Sequence, residues 1–155
     1  TNVYGMSKAL AERIVTSYCT WNSKIKFVAV RYGNVLYSTG SVLCKWKKNL
    51  QQRKEIIVTD PSATRFYWSV NEAIDLIFEC LKKSKTSAPY VPKMKSMKIN
   101  DLLEAMIIKY SPNKKPKIRI IGLQKGENLH ELISEDMPDS FHSERFTIKE
   151  ILKRI

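Results

Sequence analysis

The sequence predicts a mixed α/β or α+β fold on three observations. Short β-type runs alternate along the chain with stretches of helical periodicity. Hydrophobic residues make up 43% of the 155, enough to build a core at this length. Glycine and proline are too sparse for a fibrous or low-complexity chain, and no apolar run approaches the roughly 18 residues of a membrane span.

The elements follow in chain order. Residues 4–18 read as a helix: Ala9, Leu10, Ile14 and Val15 recur at helical spacing, and Lys8 and Glu12 form an i,i+4 pair. Residues 26–31 are a nearly continuous apolar run whose length and valines predict a buried strand of a parallel sheet. The chain leaves this strand through Tyr32-Gly33-Asn34-Val35, crosses a Ser/Thr/Gly loop at 38–41 and enters a helix near 42–52. Residues 56–59 are a short strand closed by an Asp60-Pro61-Ser62 turn. Ser69 or Asn71 caps a helix reaching about Lys83, with Val70, Ala73, Ile74, Ile77 and Leu81 on one face. Tyr90-Val91 is briefly extended, and a helix opens at Ile99-Asn100 and ends at Tyr110. Residues 117–121 are a β run, 127–134 a short helix, and 147–155 a terminal helix capped by Thr147.

The formal net charge is +12, and the bases are clustered. Residues 45–54 hold five and no acid; residues 82–98 and 109–125 hold six each and no acid. Such a field attracts anions, either nucleic acid or a phosphorylated small molecule. The aromatics do not interleave with the lysines as a base-stacking platform requires, which disfavours nucleic acid. Cys19, Cys44 and Cys80 are odd in number and widely spaced, so reduced thiols of a cytoplasmic protein are expected, with no disulfide framework and no metal site.

Tyr4-Gly5-Met6-Ser7-Lys8 places a phenol and an ammonium on one helix face. The ammonium favours phenolate, which suits Tyr4 to act as a general base on a hydroxyl about to lose hydride. Standing alone, the spacing is common to many surface Tyr–Lys pairs. Its context narrows it. Residues Asn2 to Glu12 resemble the active-site helix of the extended short-chain dehydrogenases/reductases, and Arg31-Tyr32-Gly33-Asn34-Val35 follows at their usual distance. Gly40-Ser41-Val42, then Thr59 to Phe66, then Val91 to Ile99, then Gly126-Glu127-Asn128-Leu129-His130-Glu131 occur in the order of one subfamily. The chain thus resembles the inverting UDP-N-acetylglucosamine 4,6-dehydratases and related polysaccharide-biosynthesis dehydratases from residue 1 to about residue 140.

The resemblance implies an α/β fold: the C-terminal portion of a Rossmann-type enzyme with its last helix and strands, plus a small α/β substrate-binding domain. Residues 1–38 would end the Rossmann-type domain, 39–140 would mainly bind the nucleotide sugar, and 141–155 would be a C-terminal helix. Tyr4 and Lys8 would be catalytic and, with Tyr32 and Asn34, would hold NADP, with NAD as the alternative. Asn34, Ser41, Val42, Arg65 and Glu127 would bind a UDP-sugar. Ser41 and Val42 open a helix whose N-terminus suits a diphosphate, and Arg65 would fork onto its oxygens. A surface ion pair of Arg65 with Asp60 or Glu72 is the plainer alternative, as a helix N-terminal carboxylate is for Glu127. His130 is expected to be structural, and His142 has no partner in any motif.

Three departures from the family pattern bear on substrate preference: Cys44 in place of proline, Ala63 in place of methionine and Asn128 in place of lysine. None of Gly5, Gly33, Gly40, Gly122 and Gly126 forms a phosphate-cradling Gly-x-x-Gly turn. The family's Thr-Asp-Lys elimination segment would lie upstream of Thr1. The chain therefore reads as a segment that needs an N-terminal cofactor-binding half, inactive alone and oligomeric when complete. An epimerase or 4-reductase on the same scaffold is the second reading, and a basic nucleic-acid-binding module the third.

Overall fold

The computed structural model describes residues 3–21, 25, 27–86 and 88–155. Asn2, Lys26 and the side chain of Cys19 lie outside the described residues. Helix α1 spans Val3–Trp21. Two-residue strand β1 (Asn34–Val35) leads into α2 (Val42–Gln51), β2 (Ile56–Val58) and β3 (Thr64–Trp68). Helix α3 (Val70–Lys83), β4 (Ser96–Lys98), α4 (Ile99–Tyr110), β5 (Ile118–Ile120) and α5 (Ile148–Arg154) complete the chain.

Two small sheets organise these elements. In the first, β3 is central: β1 pairs with it in parallel, Asn34 opposite Tyr67, and β4 pairs antiparallel, Arg65 opposite Met97. In the second, β2 and β5 run parallel, Ile56 opposite Ile118. The amphipathic α2 buries Leu43, Trp46 and Leu50, one residue per turn, against a core that includes Ile56, Leu102, Met106 and Ile151. The indole N–H of Trp46 donates to the Ile57 carbonyl at 2.9 Å, fixing α2 to β2. Full burial of such a set stabilises by about 2 kcal/mol per large aliphatic side chain.

Four expectations are corrected. Over its described residues, 27–31, the predicted strand at 26–31 shows one parallel bridge, Val30 to Tyr90, flanked by Arg31 N–H to Tyr90 O at 2.9 Å and Tyr90 N–H to Ala29 O at 2.8 Å. Pro89 and Pro92 flank the partner and cannot donate, so the ladder stops there. The predicted helix at 127–134 is a run of turns and bends. Its carbonyls are taken from outside: Leu129 O accepts from Thr64 N–H and Arg65, and Asn128 O accepts from Arg65. Helix α3 turns Ala73, Leu76 and Cys80 inward and leaves Val70, Ile74, Ile77 and Leu81 exposed. Finally, Glu12 gives its carboxylate to Arg31, not to Lys8. Strands β3 and β4 have no counterpart in the sequence reading.

Both predicted Ser/Thr caps form. Ser69 and Glu72 make a capping box on α3, and Thr147 and Glu150 make one on α5. Hydrogen bonds from Thr147, its backbone N–H first, hold the Glu150 carboxyl down at about 2 from its ordinary 4.5. A depressed carboxyl contributes stability above its unfolded value and loses it as pH falls through the folded one. Thermal unfolding should therefore show a downward step in midpoint between about pH 4.5 and about pH 2, and Glu150→Gln should shrink that step. An unchanged acid profile in the variant would contradict the box.

Candidate active site

Two cavities meet at β1. The larger, about 920 Å³, lies between α1 and the 28–35 run and is lined by Tyr4, Lys8, Tyr32 and Asn34. The second, about 420 Å³, is lined by Ser41, Val42, Arg65 and Glu127. Asn34, Val35 and Ser38 line both. All eight residues singled out from the sequence thus face one or both cavities.

Helix α1 is held by a charged fork. Arg31 donates to both oxygens of Glu12, at 2.7 and 2.6 Å, and to the Ile133 carbonyl at 3.0 Å. The Arg31 hydrogen bonds hold the Glu12 carboxyl below its ordinary range. Because Tyr4, Lys8 and Glu12 share a face at i,i+4 spacing, this fork fixes the rotation that turns Tyr4 and Lys8 to the cavity. The Lys8 ammonium lies 5.3 Å from the centre of the Tyr4 ring, and Tyr4 is 71% exposed.

Gly33 permits a close approach, and the partner is β3. A Cβ there would sit 2.4 Å from Phe66 Cβ and 2.5 Å from Phe66 O. After β1, Tyr37 adopts a φ of 57°, with its hydroxyl 2.9 Å from that of Tyr110. This turn places Ser38 at the junction of the cavities.

Ser41 is the N-cap of α2, yet its side chain makes no capping bond, and Oγ is buried without a protein partner. Such an orphan is rare and asks for a reason. Arg65 has neither of the partners considered from sequence. Asp60 accepts from Ser62, and Glu72 pairs with Arg154. Instead, Arg65 donates to the carbonyls of Thr64, Leu129 and Asn128 at 2.7–2.9 Å, and its Nε lies 3.7 Å from Glu131. Most of its N–H donors are thereby engaged in stapling the 128–129 segment to β3, although its charge stays beside the cavity. With no helix at 127, Glu127 closes a turn instead, accepting from Gln124 N–H at 2.9 Å.

Glu131 is the residue the sequence reading passed over. Its Oε2 accepts from Phe66 N–H at 2.9 Å, and its Oε1 accepts from the Asn34 amide at 3.0 Å. Burial raises its carboxyl, against the opposing pull of these donors and of Arg65. Only its place at the end of the Gly126-Glu127 motif marked it, since nothing in the spacing reveals a half-buried carboxylate. Behind it, Thr64 Oγ1 lies 2.8 Å from His130 Nδ1 and 2.7 Å from Ser140 Oγ, and the His130 ring packs on Phe141 at 4.7 Å. His130 supports the site from inside. His142 pairs with Asp139 at 2.8 Å, away from both cavities. Among the described residues no His/Cys/Asp/Glu cluster could hold a metal ion, and no helix is long and apolar enough to cross a membrane.

Residues 1–150 match the family model described as "Polysaccharide biosynthesis protein". The chain is 34% identical over 139 residues to UDP-N-acetylglucosamine 4,6-dehydratase (inverting) of Campylobacter jejuni, covering 87% of this chain and 40% of that protein. It is also 34% identical over 140 residues to UDP-glucose 4-epimerase of Rickettsia bellii, covering 88% of this chain and 40% of that protein. It therefore spans about two fifths of these relatives' length. Among solved structures it resembles Pen from Bacillus thuringiensis, with a TM-score of 0.84 and 30% identity over 98% of this chain and 56% of that one. At 17% identity, dTDP-glucose 4,6-dehydratase of Bacillus anthracis, solved with NAD, shares the fold with a TM-score of 0.73 over 99% of this chain and 51% of that one. RMD of Pseudomonas aeruginosa, solved with NADPH, does so at 16% identity and 0.69 over 99% and 55%. The chain has the α/β fold of the C-terminal portion of an extended short-chain dehydrogenase/reductase.

Proposed function

The chain belongs to this polysaccharide biosynthesis family, and from that premise we propose that it is the Tyr–Lys and nucleotide-sugar portion of an NADP-dependent UDP-N-acetylglucosamine 4,6-dehydratase. A cofactor-binding half completes the enzyme. The observation that carries the reading is the meeting of the two cavities at Asn34: one holds Tyr4 and Lys8, the other an orphaned serine hydroxyl, a helix N-terminus and a half-buried arginine. A diphosphate seated at Ser41 and Arg65 sends its sugar past Asn34 toward Tyr4.

The residues present fit a nicotinamide: the larger cavity is wide, and Lys8, Tyr4, Tyr32 and Asn34 offer polar groups to a ribose and carboxamide. When bound, NADP or NAD supplies hydride acceptance from C4 and its return to C6. Tyr4 takes the proton of the 4-hydroxyl, with Lys8 stabilising the phenolate. The α2 N-terminus and Arg65 hold the diphosphate, and Glu127 receives ribose hydroxyls at the cavity rim. The C4 ketone then acidifies C5–H for loss of water, a step whose acid and base lie in the completing half.

The Rickettsia relative at equal identity supports a second reading, a UDP-sugar 4-epimerase. Both readings require nucleotide binding here. Ser41→Ala tests that: calorimetric titration should show UDP bound about tenfold more weakly, since a hydrogen bond to a charged group contributes about 1.5–3 kcal/mol. Because Oγ has no protein partner, the melting temperature should hold or rise. A wild-type chain that does not bind UDP, or a variant that binds it unchanged, would count against the site. By the same reading the chain alone should not hold NADP at micromolar affinity.

A further inference from the structure

Asn34 stands where the two cavities join, and its amide is committed on one side. Nδ2 donates to Glu131 Oε1 at 3.0 Å and to the Phe66 carbonyl at 3.2 Å. Both hydrogens of that nitrogen are then used. The opposite orientation of the amide would set its oxygen against a carboxylate and a carbonyl, two acceptors, and is disfavoured. Glu131 cannot easily turn away. Its other oxygen holds Phe66 N–H at 2.9 Å, Arg65 Nε lies 3.7 Å from Oε1, and Glu131 N–H is itself held by Ser140 Oγ at 2.7 Å. The atom Asn34 has left for a ligand is Oδ1, an acceptor.

We infer that Glu131 is a positioning residue that locks the Asn34 amide so that it reads a hydrogen-bond donor, a sugar hydroxyl, between the diphosphate and the Tyr4 ends of the substrate. The inference rests on the nucleotide-sugar reading above and deepens it. It sets a chemical rule for the subsite: a hydroxyl is accepted there, and a group that only accepts, such as fluorine, is not. It also separates the work of the two cavities, because Asn34 then contributes to sugar discrimination and not to phosphate affinity.

Glu131→Gln should break the lock without changing shape. The carbonyl of the substituted side chain can keep Phe66 N–H, which turns its NH₂ toward Asn34. The Asn34 amide then faces a donor at position 131 and the Phe66 carbonyl at once, so neither orientation keeps both bonds and the amide is no longer held with its oxygen toward the cavity. The test is calorimetric titration of UDP, UDP-N-acetylglucosamine and its fluoro analogues at C3, C4 and C6 into the wild-type chain and the variant. The expected result is that the wild type disfavours one fluoro analogue about tenfold, that Glu131→Gln removes most of that discrimination, and that UDP binds both alike. Equal binding of all analogues by the wild type overturns the inference, whether or not the variant folds. So does a folded variant that keeps the full discrimination, or one that loses UDP and UDP-sugar in equal proportion. A wild type that binds neither UDP nor UDP-sugar overturns the nucleotide-sugar reading itself, and this inference with it.

Discussion

Gly33→Ala is expected to be the most damaging single-methyl change in the chain, destabilising the fold by about 3 kcal/mol or more. The new Cβ would meet Phe66 Cβ at 2.4 Å, Phe66 O at 2.5 Å and Phe66 C at 2.8 Å. Two of those three atoms are backbone, so no side-chain rotation relieves the overlap. The strands must part instead, and the parallel pairing of Asn34 with Tyr67 begins one residue later. Phe66 is also where Glu131 and Asn34 are anchored. The same methyl should therefore abolish UDP binding in whatever fraction remains folded. Urea denaturation checks the stability, and a loss under about 0.5 kcal/mol would mean that β1 does not lie against β3 as described.

Tyr4→Phe is expected to do the opposite: nothing to the fold, nearly everything to turnover. The ring is 71% exposed in the chain, so removing the hydroxyl costs no packing. As the proposed general base, its loss should lower kcat of the complete enzyme by about 10³-fold. UDP-sugar affinity and melting temperature should stay unchanged. A variant with kcat within a few-fold of wild type would remove Tyr4 from the chemistry. Lys8 would then lose its role in stabilising the phenolate and keep only its contact to the cofactor.

The helices were legible because their signals are local. Ser69 and Thr147 cap α3 and α5 through acids three residues on, and α2 and α4 announce themselves by apolar periodicity. Where tertiary partners decide, the sequence was silent or misleading. Residues 127–134 carry helix-forming types, but Arg65 and Thr64 claim their carbonyls, and Arg65 is more than sixty positions away. The apolar ridge of α3 promised a buried face, yet the smaller Ala73 and Cys80 are the ones inside with Leu76. Strand β3 went unread because its threonine, arginine and aromatics register first as a motif. The eight residues named from the sequence all line one or both cavities. What could not be read was their internal wiring: Arg31 on Glu12, Arg65 on backbone carbonyls, and Glu131 between Asn34 and Phe66.

The product formed by the complete enzyme containing this chain decides which reaction it carries out. Incubated with UDP-N-acetylglucosamine and NADP⁺ and followed by proton NMR, it should convert the C6 hydroxymethyl to a methyl doublet beside a C4 ketone. In deuterated solvent, label should enter at C5. Appearance of the C4 epimer with its hydroxymethyl intact would contradict the dehydratase reading and make the enzyme a 4-epimerase.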